Sequence, residues 1–444
     1  MKINRRDFMQ AIAATVLTAM GGCKLVGDKT KPMNIILITF DDLGYNDLSC
    51  YGSKDIYTPN IDKLASEGMK FERFYSSSPV CTPARGCLLT GRRPESIGLD
   101  MPLMGSGGMA SSFKTLPEYL LRYDYNTASI GKWHLGYDGD TLPNSQGFEY
   151  FFGHRGGKID YYKYTDDAQK VEGVSTGKKD LYENGTPVSI EGYSTDVFTD
   201  KAIKYITEKS NQPFLLNLAY NAPHYSQRGV LQAPENYIAK VAKDLNNPTA
   251  REIYAAMVMC LDDSVAKIIA HLDKLGIYDN TAIFIISDNG GDPQHGASNY
   301  PLSGGKWTLR EGGLRVPMIM RWPDSHAGLK TDTTVYMGDI TPTILRKLNI
   351  DVPDADFDGE DIYRLIEDCR YAKERSLYFS YKYNKSLGYQ YAIIEGDWKL
   401  MKVGEKYYLF DLTNDCSETT NLVEIQPEIF FQLKKKLELE YNLI

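Results

Sequence analysis

This sequence is short of net positive charge, paired cysteines, histidine and long apolar runs. Its 50 Lys and Arg are outnumbered by 58 Asp and Glu, giving a net charge of −8. A nucleic-acid role therefore has no electrostatic footprint here. An anionic ligand has to be held by a local cluster of basic groups working against the overall field. The seven cysteines are odd in number and widely spaced, which excludes a disulfide framework and leaves one or two bridges open. The apolar run over 11–20 falls short of the ~20 residues needed to cross a bilayer. There is no internal repeat and no low-complexity tract.

What is there argues for a folded globular protein: 444 residues, 42% hydrophobic and 12% aromatic, enough for one large core and a smaller satellite domain. The 32 tyrosines suit a surface that stacks on sugar rings, with ordinary packing as the alternative use. At the start, Arg5-Arg6-Asp7-Phe8, the apolar run and Gly21-Gly22-Cys23 read as an export signal. The arginine pair resembles a twin-arginine signal. The small residues before Cys23 resemble a bacterial lipoprotein cleavage site, although Met20 stands where Leu is commonest. A plain cleaved signal is the alternative. On either reading the mature protein is expected outside the bacterial cytoplasm, in the periplasm or anchored to a membrane through a lipidated Cys23.

Short apolar runs at 34–40, 127–130, 214–220, 281–287 and 316–320 read as buried parallel strands. Helical patterns at 61–68 and 255–275 lie between them, the second stopped by Gly276. The alternation predicts an α/β fold with a large central, mostly parallel sheet flanked by helices. From about 376 the pattern changes to short strands with tight turns, at 377–383, 389–395, 398–403 and 407–410, followed by a helix near 426–440. This predicts a smaller C-terminal domain of antiparallel sheet plus helix. The expected division is an export signal at 1–23, a large domain carrying the chemistry at 30–370 and a C-terminal subdomain at 371–444.

The strand ends matter more than the strands. The first run ends in Asp41-Asp42, the second in Gly131-Lys132-Trp133-His134, the third in Asn221-Ala222-Pro223-His224 and the fourth in Asp288-Asn289-Gly290-Gly291. In open α/β sheets the site lies just outside the carboxyl ends of the strands, so these groups are expected to converge on one crevice. Taken singly, Asp-Asp is also a helix cap, Asp-Asn-Gly a turn and a lone His a core residue. Lys132 and His134 stand two apart, which in an extended chain puts both on one face. Cys81 precedes Pro83, which fits a first helical turn, and the helix is expected to end near Gly91. A helix N-terminus favours an anion, and Arg85, one turn on, can reach back toward Cys81. The competing readings are a buried structural cysteine and a reactive thiolate.

Cys81-Thr82-Pro83-Ala84-Arg85 followed by Leu89-Thr90-Gly91-Arg92 resembles the signature of the formylglycine-dependent type I sulfatases, within the alkaline-phosphatase-like superfamily. Gly131–Gly136, Asn221–His224, Asp288–Gly291, Gly304-Gly305-Lys306-Trp307, Glu311-Gly312-Gly313 and Trp398-Lys399-Leu400 extend the likeness from Asn34 to about Leu422. The resemblance implies that Cys81 is converted by a formylglycine-generating or other maturation enzyme. It also implies one Ca²⁺ held by Asp41, Asp42, Asp288, Asn289 and the residue made from Cys81. Three carboxylates and an amide are indeed a hard, all-oxygen set that suits Ca²⁺ or Mg²⁺ and not zinc. The implied roles are Arg85 holding the modified residue, Lys132 on nucleophile and sulfate, and His134 as base. His224 and Lys306 fall on sulfate and leaving oxygen. His154, Arg155 and His295 are candidates for substrate contact. Loops at 101–112, 153–164 and 225–234, with the C-terminal strands, are expected to read the substrate, a sulfated carbohydrate. The rivals are a phosphodiesterase or phosphonate monoester hydrolase of the same superfamily, and a non-catalytic glycan-binding lipoprotein if Cys81 stays unconverted. A two-zinc site is disfavoured by the six histidines and by Asn289, where a two-zinc site calls for a histidine.

Overall fold

The run Asn34–Phe40 is wholly buried because its side chains alternate between two cores. Ile36, Ile38 and Phe40 enter one while Ile35 and Leu37 enter the other, as a strand covered on both faces requires. A computed structural model describes residues 32–443 without 167–169, 172–173, 176–177, 324–325, 372–373 and 383–387. The sequence-based export signal and Cys23 lie outside these residues.

The main sheet has ten strands. In chain order they are β1 Asn34–Phe40, β2 Met69–Phe71, β3 Asn126–Lys132, β4 Tyr150–His154 and β5 Tyr182–Glu183. Then come β6 Thr186–Pro187, β7 Phe214–Ala219, β8 Thr281–Ser287, β9 Met318–Arg321 and β10 Leu329–Thr331. Their order across the sheet is β6-β5-β4-β3-β7-β1-β8-β9-β2-β10. The central block β4-β3-β7-β1-β8 is parallel throughout, so its carboxyl ends share one edge. One face is covered by α1 Pro59–Glu67, and the other by α2 Cys81–Thr90. Helices α3 Ser194–Lys209 and α4 Ala250–Lys274 join α1 on its face, and α5 Ile340–Lys347 joins α2.

The expected α/β architecture is present, with one correction. The run at 316–320, read as a parallel strand, is β9, and it runs antiparallel to β8 with Ile286 opposite Met318. An apolar run encodes burial on both faces but not direction, which the connection decides.

Four further strands, β11 Ser376–Lys382, β12 Tyr389–Glu395, β13 Trp398–Val403 and β14 Lys406–Asp411, form an antiparallel meander. One face packs Phe379, Ile394 and Phe410 against Tyr75, Val80 and Leu309. The opposite face is covered by α6 Pro427–Glu440 through Leu433 and Leu437. Residues from Met33 onward make one compact unit. Among the described residues no helix is long and apolar enough to cross a membrane.

Candidate active site

Cys81 is the first residue of α2, and all ten residues of that helix are buried. Val80 before it is extended and Gly91 closes the far end at φ 67°, a left-handed position that glycine takes without strain. Among the described residues no side chain caps the N-terminus, so the helix presents its free N–H groups at Cys81. The carboxyl ends of β1, β3 and β8, with the loop after β7, deliver their polar residues to the same point.

Cys81 Sγ lies 3.4 Å from Asp41 Oδ1 and 3.7 Å from Lys306 Nζ. Lys132 Nζ donates to Asp41 at 2.6 Å and Lys306 Nζ to Asp42 at 2.7 Å. Arg85 spans Asp288, at 2.7 Å, and Asp41, at 3.5 Å. Its guanidinium is thus spent on two carboxylates; the reach toward Cys81 expected from helical spacing is only an electrostatic proximity. Asn289 Nδ2 donates to Asp42 Oδ1 at 2.8 Å, while its Oδ1 is buried without a hydrogen-bond partner among the described residues. Ligand atoms of Asp41, Asp42, Cys81 and His224 all lie within 4.8 Å of one another. Within that group His224 Nε2 lies 3.0 Å from Lys306 Nζ and 3.4 Å from Asp42 Oδ2, and its Nδ1 meets the Tyr225 carbonyl at 2.6 Å.

Electrostatics separates these groups. Burial opposes ionisation of Asp41, but Lys132, with Arg85 and Lys306, holds it well below the usual carboxylate range. Asp42 is raised, because burial and the Asp41 charge outweigh Lys306. Burial lifts Asp288 to about 6 despite Arg85. The Cys81 thiol is pushed up to about 12 by burial, against the pull of Lys132 and Lys306. At neutral pH it stays a thiol, which argues against the reactive-thiolate reading. Burial, then Lys132, lowers His134, and burial, then Lys306, lowers His224. Both imidazoles are neutral.

His134 does not sit in extended chain. Its φ is 55° and that of Asp42 is 65°, conformations that cost energy and gather at functional sites. The His134 ring bonds the Leu103 carbonyl through Nε2 at 3.1 Å. A carbonyl only accepts, so Nε2 carries the proton and Nδ1, which has no hydrogen-bond partner among the described residues, keeps a free lone pair. A Cβ added at Gly157 would come 2.6 Å from this ring; only a glycine fits behind it.

Cys81, His134, His224 and Lys306 form the floor of a cavity of about 290 Å³, with walls from Pro102, Leu103 and Met104, from Gly157 and Lys158, and from Tyr225, Gln227, Tyr137 and Trp307. The three loops named from sequence each contribute, but the C-terminal strands do not line it. Nor do the three candidates for substrate contact, His154, Arg155 and His295. His154, in β4, is wholly buried and stacks on Phe198 at 6.3 Å. Arg155 lies over the Tyr182 ring at 3.7 Å and donates to the Tyr137 carbonyl. His295 stacks behind Tyr225 at 3.9 Å and bonds Asp292. Lys158 and Tyr225 were legible only as members of loops and Trp307 only as a member of the Gly304–Trp307 motif, since nothing local marks which of these residues points inward.

The sulfatase family model matches residues 33–350, and the model of the N-sulphoglucosamine sulphohydrolase C-terminal region matches 305–442. Mouse arylsulfatase J is 35% identical over 351 residues, covering 76% of this chain and 56% of that protein; the chain thus spans little more than half the length of that relative. Rat N-acetylgalactosamine-6-sulfatase is 34% identical over 390 residues, covering 78% of this chain and 71% of the relative. The crystal structure of Ps i-CgsB in complex with k-i-k-neocarrahexaose superimposes with a TM-score of 0.85 at 34% identity, covering 92% of each chain. With Cys81, the carboxylates and the lysines gathered at the carboxyl edge of the sheet, the chain belongs to the sulfatase family, enzymes that hydrolyse sulfate esters.

Proposed function

We propose that this protein removes sulfate from a sulfated carbohydrate, using a formylglycine made from Cys81 and a calcium ion beside it. The observation that carries the reading is the seating of Cys81 at an uncapped helix N-terminus, 3.4 Å from Asp41 and 3.7 Å from Lys306. The carbohydrate part is supported by the sugar named for the rat relative and the oligosaccharide bound by Ps i-CgsB.

The residues fit both groups. Asp41, Asp42, Asp288 and Asn289 would hold the metal; their donors are all oxygen, and Asn289 Oδ1 is buried with no hydrogen-bond partner among the described residues. When present, calcium would supply positive charge facing sulfate, and formylglycine a hydroxyl nucleophile in place of a thiol that burial keeps protonated. The chain does the rest. Lys132 and Arg85 fix Asp41 and Asp288. Lys306 carries a proton beside neutral His224, 3.0 Å away, so the pair can protonate a leaving oxygen at the cavity floor. The free Nδ1 of His134 is the base. Ammonium groups held in place before the reaction stabilise charge that develops on sulfate oxygens.

Export through the N-terminal signal, with Cys23 as a lipid anchor, and conversion by a maturation enzyme belong to the same proposal. The test is protein purified from its native host, with mass spectrometry of the Cys81 peptide and parallel assays on a panel of sulfated saccharides, an aryl sulfate and an aryl phosphonate. A formylglycine mass and desulfation of at least one saccharide are expected. Turnover by protein carrying only thiol, or a strong preference for the phosphonate, would sink it.

A further inference from the structure

Above the catalytic floor the cavity changes character. Leu103, Met104, Tyr225 and Trp307 line it, planar and apolar surfaces of the kind that receive a sugar ring. Beyond Lys306, Lys158 is the single charged residue in the lining, and no carboxylate lines it among the described residues.

Lys158 is placed, not free-swinging. Its Nζ donates to Tyr225 Oη at 3.1 Å and lies 4.3 Å from the centre of that ring. Tyr225 is itself clamped between the His224 ring at 4.3 Å and the His295 ring at 3.9 Å, and His295 is held by Asp292. One of three ammonium donors is spent on Tyr225, and among the described residues no carboxylate pairs with Lys158. Burial and the nearby Lys306 charge pull Lys158 below the usual lysine range. An ammonium that is partly desolvated, uncompensated and aimed into a cavity is a site for an anion.

We infer that Lys158 is a specificity-determining residue that receives a second anionic group, a carboxylate or a further sulfate, on the sugar carrying the sulfate to be removed. The inference rests on the sulfate-ester reading above. It also gives the packing of Tyr225 a function, since the stack Asp292–His295–Tyr225 holds the hydroxyl to which Lys158 Nζ donates.

The test compares wild type, Lys158→Met and Lys158→Arg on a monosulfated hexose, a disulfated hexose and a sulfated hexuronic acid. In wild type, kcat/KM favours one or both doubly anionic sugars over the monosulfated one. Lys158→Met is expected to cut that preference about tenfold, or about 1.4 kcal/mol, through KM, with Lys158→Arg restoring most of it. Whichever doubly anionic sugar responds identifies the group. An unchanged preference, or an equal loss on all three sugars, overturns the inference and leaves Lys158 as a prop for Tyr225. Calorimetric titration of unconverted protein with the same sugars reads the same ratio as affinities. If converted enzyme turns over no sulfate ester, the proposed function fails, while the affinity ratio still decides the role of Lys158.

Discussion

Around Cys81, three carboxylates and three cations are buried together: Asp41, Asp42 and Asp288 with Lys132, Lys306 and Arg85. Farther along the strand-to-strand connection that carries Lys306, a second ionic cluster is buried just as deeply. There Lys399 Nζ sits 2.9 Å from Glu311 and 3.0 Å from Glu418, Tyr75 donates to Glu311 at 2.9 Å, and Glu418 accepts from the Glu311 backbone at 2.8 Å. The second cluster is settled by its own residues: burial opposes the charge on Glu311, but Lys399 and Arg315 keep it low. The first is not settled. Asp42 and Asp288 are raised, Asn289 Oδ1 and His134 Nδ1 lack hydrogen-bond partners among the described residues, and the group opens on a cavity. Similar charges thus weld the C-terminal sheet to the Lys306 loop in one place and leave capacity for a ligand in the other.

The sharpest way to break this contrast is to remove its centre. Cys81→Ala should lower sulfate ester turnover by roughly 10⁴-fold or more while saccharide affinity by calorimetry survives; retained turnover would remove Cys81 from the chemistry. In the welded cluster Lys399→Met leaves two buried glutamates facing one another, and about 3–5 kcal/mol of stability should be lost in urea unfolding. A loss below ~1 kcal/mol would mean that this cluster, too, is not settled.

The unsettled cluster makes the opposite prediction for metal. Calcium at about 100 times its Kd should stabilise the protein by about 2.7 kcal/mol relative to chelated protein, seen as a raised Tm, and Asn289→Ala should shrink the shift. No shift in wild type would count against the oxygen set as a metal site. The smallest effect concerns His154, beside the first cluster. Burial, then Lys132, lowers it to about 3, whereas an unfolded histidine titrates near 6.5. The unfolded chain therefore binds more protons between these values, and stability falls as pH falls through that window. Between pH 7 and 5 the loss from this residue is about 2 kcal/mol. It should disappear in His154→Phe, measured as the pH slope of urea unfolding; an unchanged slope would assign the loss elsewhere.

Much of the site was legible because strand ends are local signals. Apolar runs ending in Asp-Asp, Lys-Trp-His and Asp-Asn-Gly-Gly mark both the strand and the edge where its polar residue emerges. The place of His154 was not legible for the same local reason. Its alternation within β4 turns it into the layer packed by Phe198, and a motif glycine and arginine on either side do not reveal that. Lys399 appeared as part of a motif, but its pairing with Glu311, 88 residues away, had no trace in the spacing. Lys158 and Tyr225 had only loop membership.

By itself the sequence determined which segments are buried strands, that Cys81 starts a helix, and which residue types are offered at each strand end, since all three follow from patterns within a few residues. Only the tertiary structure decided that Asp42 meets Asn289, 247 residues on, that β9 runs antiparallel, and that Lys158 rather than His154 faces the cavity. The reason is physical. Local periodicity fixes the face a side chain takes, but the order in which strands cross the sheet fixes which faces meet.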